Sequence, residues 1–314
     1  MDRNRTWQSG AGQPAGGLPA AGERPGGVRW VMLVHPPAEE VDRQARSLGL
    51  GEVARLGPGP QPRAKLEPVR GGFYLRLYVF PPGREREPVA LHLAVGRHGL
   101  LSWSEEPLAV LDPVRDRHRD PEGDITSPAA LLYHIVDAVL TSLFPYLDRL
   151  NDEIVRLEGM ALDGSNARIQ SELFRVKREV LALRRVLASE RDVVHQLLRV
   201  YGSSLGPREQ ADYFLESYDH VLRLFDTVDT FREMLGAVLD AHLSTVSNRL
   251  NEIVKTLTLV TTVLLPASLL ASLWGTNFDA LPGRDHPYGF FILLGVMAAV
   301  SAGLLWIFRR RHWL

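Results

Sequence analysis

No cysteine occurs among the 314 residues. Its absence excludes a disulfide framework and any thiolate metal site, and it fits a reducing compartment. Net charge is nearly absent as well, with 36 basic residues against 37 acidic ones, so no nucleic-acid partner is expected. The ten histidines are scattered, with no pair four apart around a glutamate, and no Gly-Lys-Ser/Thr phosphate loop appears. Neither an enzyme activity nor a resident cofactor is therefore expected. Residues 1–27 lack the apolar core of about 7–15 residues that marks a signal peptide. Rich in Gly, Ala and Pro, they are expected to form a disordered tail.

What the chain does have is an uneven distribution of apolar sequence, nearly all the long runs falling near the C-terminus. Leu257 to Trp274 is 18 residues without a charge, and Tyr288 to Phe308 is 21. Each can cross roughly 30 Å of hydrocarbon as a helix. A buried helical hairpin of a soluble domain is the alternative, but such helices usually keep a polar face. Arg249 and Lys255 precede the first run and Arg309-Arg310-Arg311-His312 follow the second, whereas the turn between carries Arg284 against Asp279 and Asp285. Basic flanks stay inside. The expectation is a multi-pass protein of the inner (plasma) membrane with both termini cytoplasmic and the turn outside. Trp274, Tyr288 and Trp313 suit the interfaces.

Upstream, strand-like segments at Arg29 to His35, Lys65 to Val69, Phe73 to Phe80, Val89 to Val95 and Leu100 to Ser104 are punctuated by Pro and Gly. With a helical pattern at Ala38 to Leu48 they predict a cytoplasmic α/β domain over 28–126. From Ser127 the pattern is wholly helical. Ser127-Pro128 starts one helix expected to run to Met160. After a turn at Asp163-Gly164-Ser165-Asn166, a second runs from Ala167 to about Val200. A third starts near Arg208 and meets no clear breaker before Pro266; carried on to Trp274 it is roughly 100 Å long at 1.5 Å per residue. One small domain cannot cover such a helix, so 127–253 is expected to be a bundle and stalk, followed by a two-helix membrane domain over 254–314. Residues 209–252 hold nine acids and three bases, and 166–199 hold eight bases and four acids. Either the two helices pair by charge or these are solvated faces.

Along the first span, steps of three and four residues from Asn251 give Val254, Thr258, Thr261, Leu265, Ser268 and Ser272 on one face that alternates hydroxyls with aliphatics, with Asn251 just outside it. Such a face can line a pore or pack helices in lipid. No carboxylate lies within the run, which argues against a buried proton relay.

The run Asn248 to Thr258, then Pro266, Gly275-Thr276-Asn277-Phe278 and Leu281-Pro282, resembles the CorA family of divalent cation channels. Leu131 to Asp137, Phe144 to Leu147 and Tyr213 to His220 fit the same pattern. The resemblance covers roughly 28–314. It implies an α+β cytoplasmic domain, a long helical stalk and two C-terminal transmembrane helices, assembled as a funnel-shaped homopentamer. It also implies a filter of Gly275, Thr276 and Asn277, with Asp279 and Asp285 attracting cations outside it. Cytoplasmic carboxylates Glu216, Asp219 and Asp240 would bind regulatory divalent ions. Partners implied are copies of the chain, membrane lipid and divalent cations, and the cargo is Mg2+ with Co2+ as a second ion. Thr276 stands where the family typically has Met, and Gly283 where many members are acidic. These departures keep two further readings open: a Zn2+ transporter of the same fold, and a membrane-anchored scaffold that transports nothing.

Overall fold

The computed structural model describes residues 28–57, 62–84, 87–120, 123–163, 168–201, 209–276 and 287–311. The expected tail, 1–27, and most of the Asp163–Asn166 turn lie outside them. The chain forms two compact units, one built on Met1–Glu158 and Ala167–Ala237, the other on Gly159–Asn166 and Val238–Leu314.

In the first unit, strands β1 (Arg29–Val34), β2 (Lys65–Val69), β3 (Gly72–Val79), β4 (Val89–Gly96) and β5 (Gly99–Ser104) make one sheet in the order β1-β5-β4-β3-β2. β1 runs parallel to β5 and the other pairs are antiparallel. β3 is buried at every position after the first, as expected of a strand covered on both faces. One face sets Val31, Tyr74, Ala94, Leu101 and Trp103 against Val41 and Ala45 of α1 (Ala38–Ser47) and against Leu48 and Leu50 beyond it. On the other, the Trp30 indole donates to Ser102 Oγ at 2.9 Å. Its ring meets the edge of His118 on α2 (Asp112–Arg119), centroids 5.7 Å apart. The β2–β3 hairpin turns on Arg70-Gly71, where φ is +88° and a Cβ would sit 2.2 Å from the Gly49 carbonyl. Only glycine fits there.

α3 (Pro128–Thr141) begins as the sequence indicates, with Ser127 Oγ accepting from the Ala130 N–H at 3.1 Å. It does not run on to Met160. The chain breaks at Ser142-Leu143 and restarts as α4 (Phe144–Asp163). The cause is Pro145, which has no N–H to give the Thr141 carbonyl. Leu143 N–H closes instead on Leu140 O at 3.1 Å, a tighter turn, and Pro145 falls in the first turn of the new helix, where no donor is needed.

α5 (Ile169–Val200) docks on the sheet edge where β2 begins. There the Ala64 and Tyr78 N–H groups donate to Ser189 Oγ at 2.9 Å and Glu190 Oε1 at 3.0 Å. The first part of α6 (Glu209–Trp274) buries Phe214, Ser217, Val221, Leu224, Val228, Phe231 and Leu235. Alternate steps of three and four are the seam of helices packed nearly parallel. Arg184 on α5 bonds Asp229 on α6 at 2.6 Å, one basic–acidic pair between these two helices.

The second unit contains the C-terminal part of α6 and α7 (Gly289–Arg310). On α7 the partly buried positions are Leu293, Met297, Ser301, Leu304 and Phe308, one helical stripe. On α6 they include Leu259, Val263, Pro266 and Leu270, also one stripe, and Leu305 shares a groove with Leu259 and Val263. α6 passes through Pro266 without a break.

Candidate ion pathway

Val254, Thr258, Thr261, Leu265, Ser268 and Ser272 are all exposed, as is Asn251 at the start of the series. At about 100° per residue this face lies across the helix from the Leu259, Val263, Pro266, Leu270 stripe. The two stripes thus divide α6 into one side spoken for by α7 and one left open in a single copy. Two of the hydroxyls on the open side are oriented. Thr258 Oγ1 donates to Val254 O at 2.7 Å and Thr261 Oγ1 to Leu257 O at 2.9 Å. Their hydrogens are used along the helix, so outward they offer lone pairs.

At the end of α6, Gly275 N–H bonds Ala271 O at 3.0 Å, Thr276 N–H bonds Leu273 O at 3.3 Å, and Thr276 Oγ1 donates to the same carbonyl at 2.6 Å. Thr276 therefore works as a cap for carbonyls that have no helical partner. A methionine could not supply that bond. Asn277, Asp279 and Asp285, expected at the mouth, and Gly283 beside them, lie outside the described residues.

Glu216, Asp219 and Asp240 are all exposed on α6. Glu216 accepts a 2.8 Å hydrogen bond from the Tyr133 hydroxyl on α3, and Tyr133 stacks on Tyr213 with centroids 5.0 Å apart. Burial, and after it the bond to Glu216, hold the Tyr133 phenol well above its ordinary pKa, so it stays a donor at physiological pH. One turn along α6, His220 Nδ1 lies 3.1 Å from Asp137 Oδ1. Among the described residues no three His, Asp or Glu side chains gather closely enough to hold a metal ion. The Tyr133 and Asp137 partnerships were not foreseen from sequence. Each spans 83 positions, and no local pattern marks it.

Among the described residues, three helical segments are long and apolar enough to cross a membrane, by length and composition. Pro128–Asp163 has a window of mean hydropathy 1.4 that is more than half buried in the protein. The windows in Asp212–Trp274 and Gly289–Arg310, of mean hydropathy 1.8 and 2.4, have no part buried. Burial therefore separates the first, a core element, from the two whose apolar surface is left largely uncovered.

Residues 25–310 match the family described as CorA-like Mg2+ transporter protein. The chain belongs to that family. It is 33% identical over 202 residues to the cobalt/magnesium transport protein CorA of Thermotoga maritima, covering 64% of this chain and 57% of that protein. It is 25% identical over 191 residues to the zinc transport protein ZntB of Pectobacterium carotovorum, covering 60% and 57%. The chain spans a little under three fifths of the length of the curated CorA relatives it matches. The solved CorA magnesium transporter from Methanocaldococcus jannaschii superimposes with a TM-score of 0.78 at 23% identity, over 91% of this chain and 92% of that one. The fold is accordingly the CorA fold: a mixed-sheet domain, a long helix and a C-terminal apolar helix.

Proposed function

We propose that this chain is one protomer of a membrane-embedded homopentameric channel that admits hydrated Mg2+, with Co2+ as a second ion, and is closed by cytoplasmic divalent ions. The observation that carries the reading is the exposed face of α6 from Val254 to Ser272, opposite the stripe that meets α7. Five copies turning that face to a common axis would enclose a path lined by hydroxyl lone pairs and aliphatic rings. Mg2+ keeps its water shell, and the hydrogens of that shell point outward, so acceptors are what a hydrated ion needs. Rings of Val254 and Leu265 supply constrictions that close by dewetting.

At the mouth, Gly275, Thr276 and Asn277 form the filter, with the Asn277 amides meeting the shell. Asp279, and more weakly Asp285, raise the local cation concentration. Arg249 and Lys255 keep the start of the first span, and Arg309 to Arg311 the end of the second, on the cytoplasmic side. Glu216, Asp219 and Asp240 bind regulatory ions between neighbouring copies. When those ions leave, carboxylate repulsion favours opening. The apolar positions Leu243, Val246, Leu250, Ile253 and Leu257, spaced by three and four and exposed in a single copy, support self-association.

A Zn2+ transporter is the second reading, favoured by the ZntB relatives and by Thr276 in place of Met. Ion flux into proteoliposomes tests both. Mg2+ uptake is expected at least tenfold above Zn2+ uptake and unaffected by a pH gradient, and Asn277→Ala is expected to lower Mg2+ uptake about tenfold or more. Zn2+ uptake that exceeds Mg2+ uptake and follows the pH gradient establishes the second reading. No saturable flux of either ion removes both.

A further inference from the structure

Where α6 and α7 meet, a groove of ≈ 660 Å³ opens on the side of the helix pair away from the proposed pore face. Its wall is apolar at one end, with Leu259, Val263, Leu264 and Leu305, and polar at the other, with Thr256, Lys255 and Glu252 in that order along the helix. Leu305 is followed by Trp306, an exposed ring with the Arg310 guanidinium 5.5 Å from its centre. A tryptophan and an arginine stacked at the end of an apolar helix mark the headgroup level of a bilayer. The polar end of the groove falls at that level.

We propose that this groove binds an aminophospholipid carrying a phosphate and a primary ammonium, as in an ethanolamine headgroup. The acyl chain lies along Leu259, Val263, Leu264 and Leu305. Thr256 reaches the ester level, Lys255 takes the phosphate by charge-assisted hydrogen bonds, and Glu252 accepts from the ammonium. Glu252 and Lys255 stand three residues apart, yet no ion pair joins them and neither has another partner among the described residues. Their axial separation is about 4.5 Å, close to the two-carbon bridge between phosphate and ammonium. The acid decides the headgroup: a choline nitrogen has no N–H to give it, and a glycerol headgroup brings no positive charge to offset it. The alternative occupant, a helix from a second copy, would have to bring partners for both charges.

This inference rests on the membrane-spanning part of the proposed function and not on ion conduction, so its test reads lipid retention rather than flux. The purified full-length protein is exposed to equimolar phosphatidylethanolamine, phosphatidylcholine and phosphatidylglycerol, and bound lipid is counted by native mass spectrometry. Ethanolamine lipid is expected to be retained about tenfold over choline lipid. Glu252→Gln should reduce that preference below about twofold, Lys255→Gln should weaken all three lipids, and Leu264→Trp, which fills the groove, should weaken them without changing their order. Equal retention of the three lipids by the unaltered protein overturns the proposal and needs no variant to be stable. So does a preference untouched by Glu252→Gln, or a Val260→Cys protein, altered at another residue of the groove wall, that cross-links between copies while retaining no ethanolamine lipid. A protein recovered without any lipid or membrane association would instead overturn the membrane reading beneath it.

Discussion

Glu190 is fully buried between α5 and the sheet; Oε1 receives the Tyr78 N–H and Oε2 meets no donor. Burial pushes its carboxyl up to about 8 from an ordinary value of 4.5, outweighing the opposing effect of the Tyr78 bond. Because the folded pKa is the higher one, the folded protein holds the proton more tightly than the unfolded chain. The stability this contributes is complete below about pH 4.5 and is lost as pH rises through about 8. Set against the rising slope that His92 contributes below about pH 6.5, thermal melting followed by circular dichroism should therefore carry, from Glu190, a declining slope of about 1.4 kcal/mol for each step of one in pH between about 4.5 and 8. Glu190→Gln keeps the acceptor for Tyr78 and cannot ionise, so most of that slope should vanish. Nothing in the surrounding Ala188-Ser189-Glu190-Arg191-Asp192 signals a buried acid, because three of the five residues are charged and suggest a solvated turn of helix. His92 poses the same problem of legibility. Burial, with Arg76 adding to it, takes its imidazole down to about 4, and it stacks on Trp103 with centroids 5.0 Å apart. It is a packed core ring rather than a ligand.

At the level of elements, the seam between α5 and α6 is held by shape far more than by charge. Leu224 is fully buried, so Leu224→Ala is expected to cost about 2–5 kcal/mol. Arg184→Met removes the pair with Asp229, whose two side chains are 34% and 28% exposed, and is expected to cost less than about 1 kcal/mol. Comparing the melting of the two variants checks the ranking. Elements whose residues alternate or recur with a clear period were legible. The five strands and α1 start and end within about one residue of their predicted bounds, because their apolar spacing is bounded by Pro and Gly. α2 was not legible, since Asp112–Arg119 is mostly charged and has Pro113 in its first turn. The α3–α4 break was masked by a different effect: Val139, Leu143 and Leu147 keep the apolar spacing of one helix across it, and the spacing outweighed the signal of Pro145.

At the scale of the whole molecule, much of the proposed site belongs to no single copy. The face from Val254 to Ser272 was found by counting along a helix. Asn277 was not found that way, and its expected role comes from family resemblance. The stripe of Leu243, Val246, Leu250, Ile253 and Leu257 predicts how assembly can be broken. Leu250→Asp places a charge in that seam and should shift the purified protein from oligomer toward protomer, read by its mass in solution, while the melting of the Leu224 seam stays within about 0.5 kcal/mol. An open channel must also withstand the proton gradient across the same membrane, and the threonines of α6 bear on this. A proton moves along a chain of hydroxyls only if each can release its hydrogen on one side while receiving another. Thr258 and Thr261 have committed theirs to the carbonyls of Val254 and Leu257. Turning them outward would cost about 1 kcal/mol apiece. Along the proposed pore these two side chains therefore make a poor proton wire.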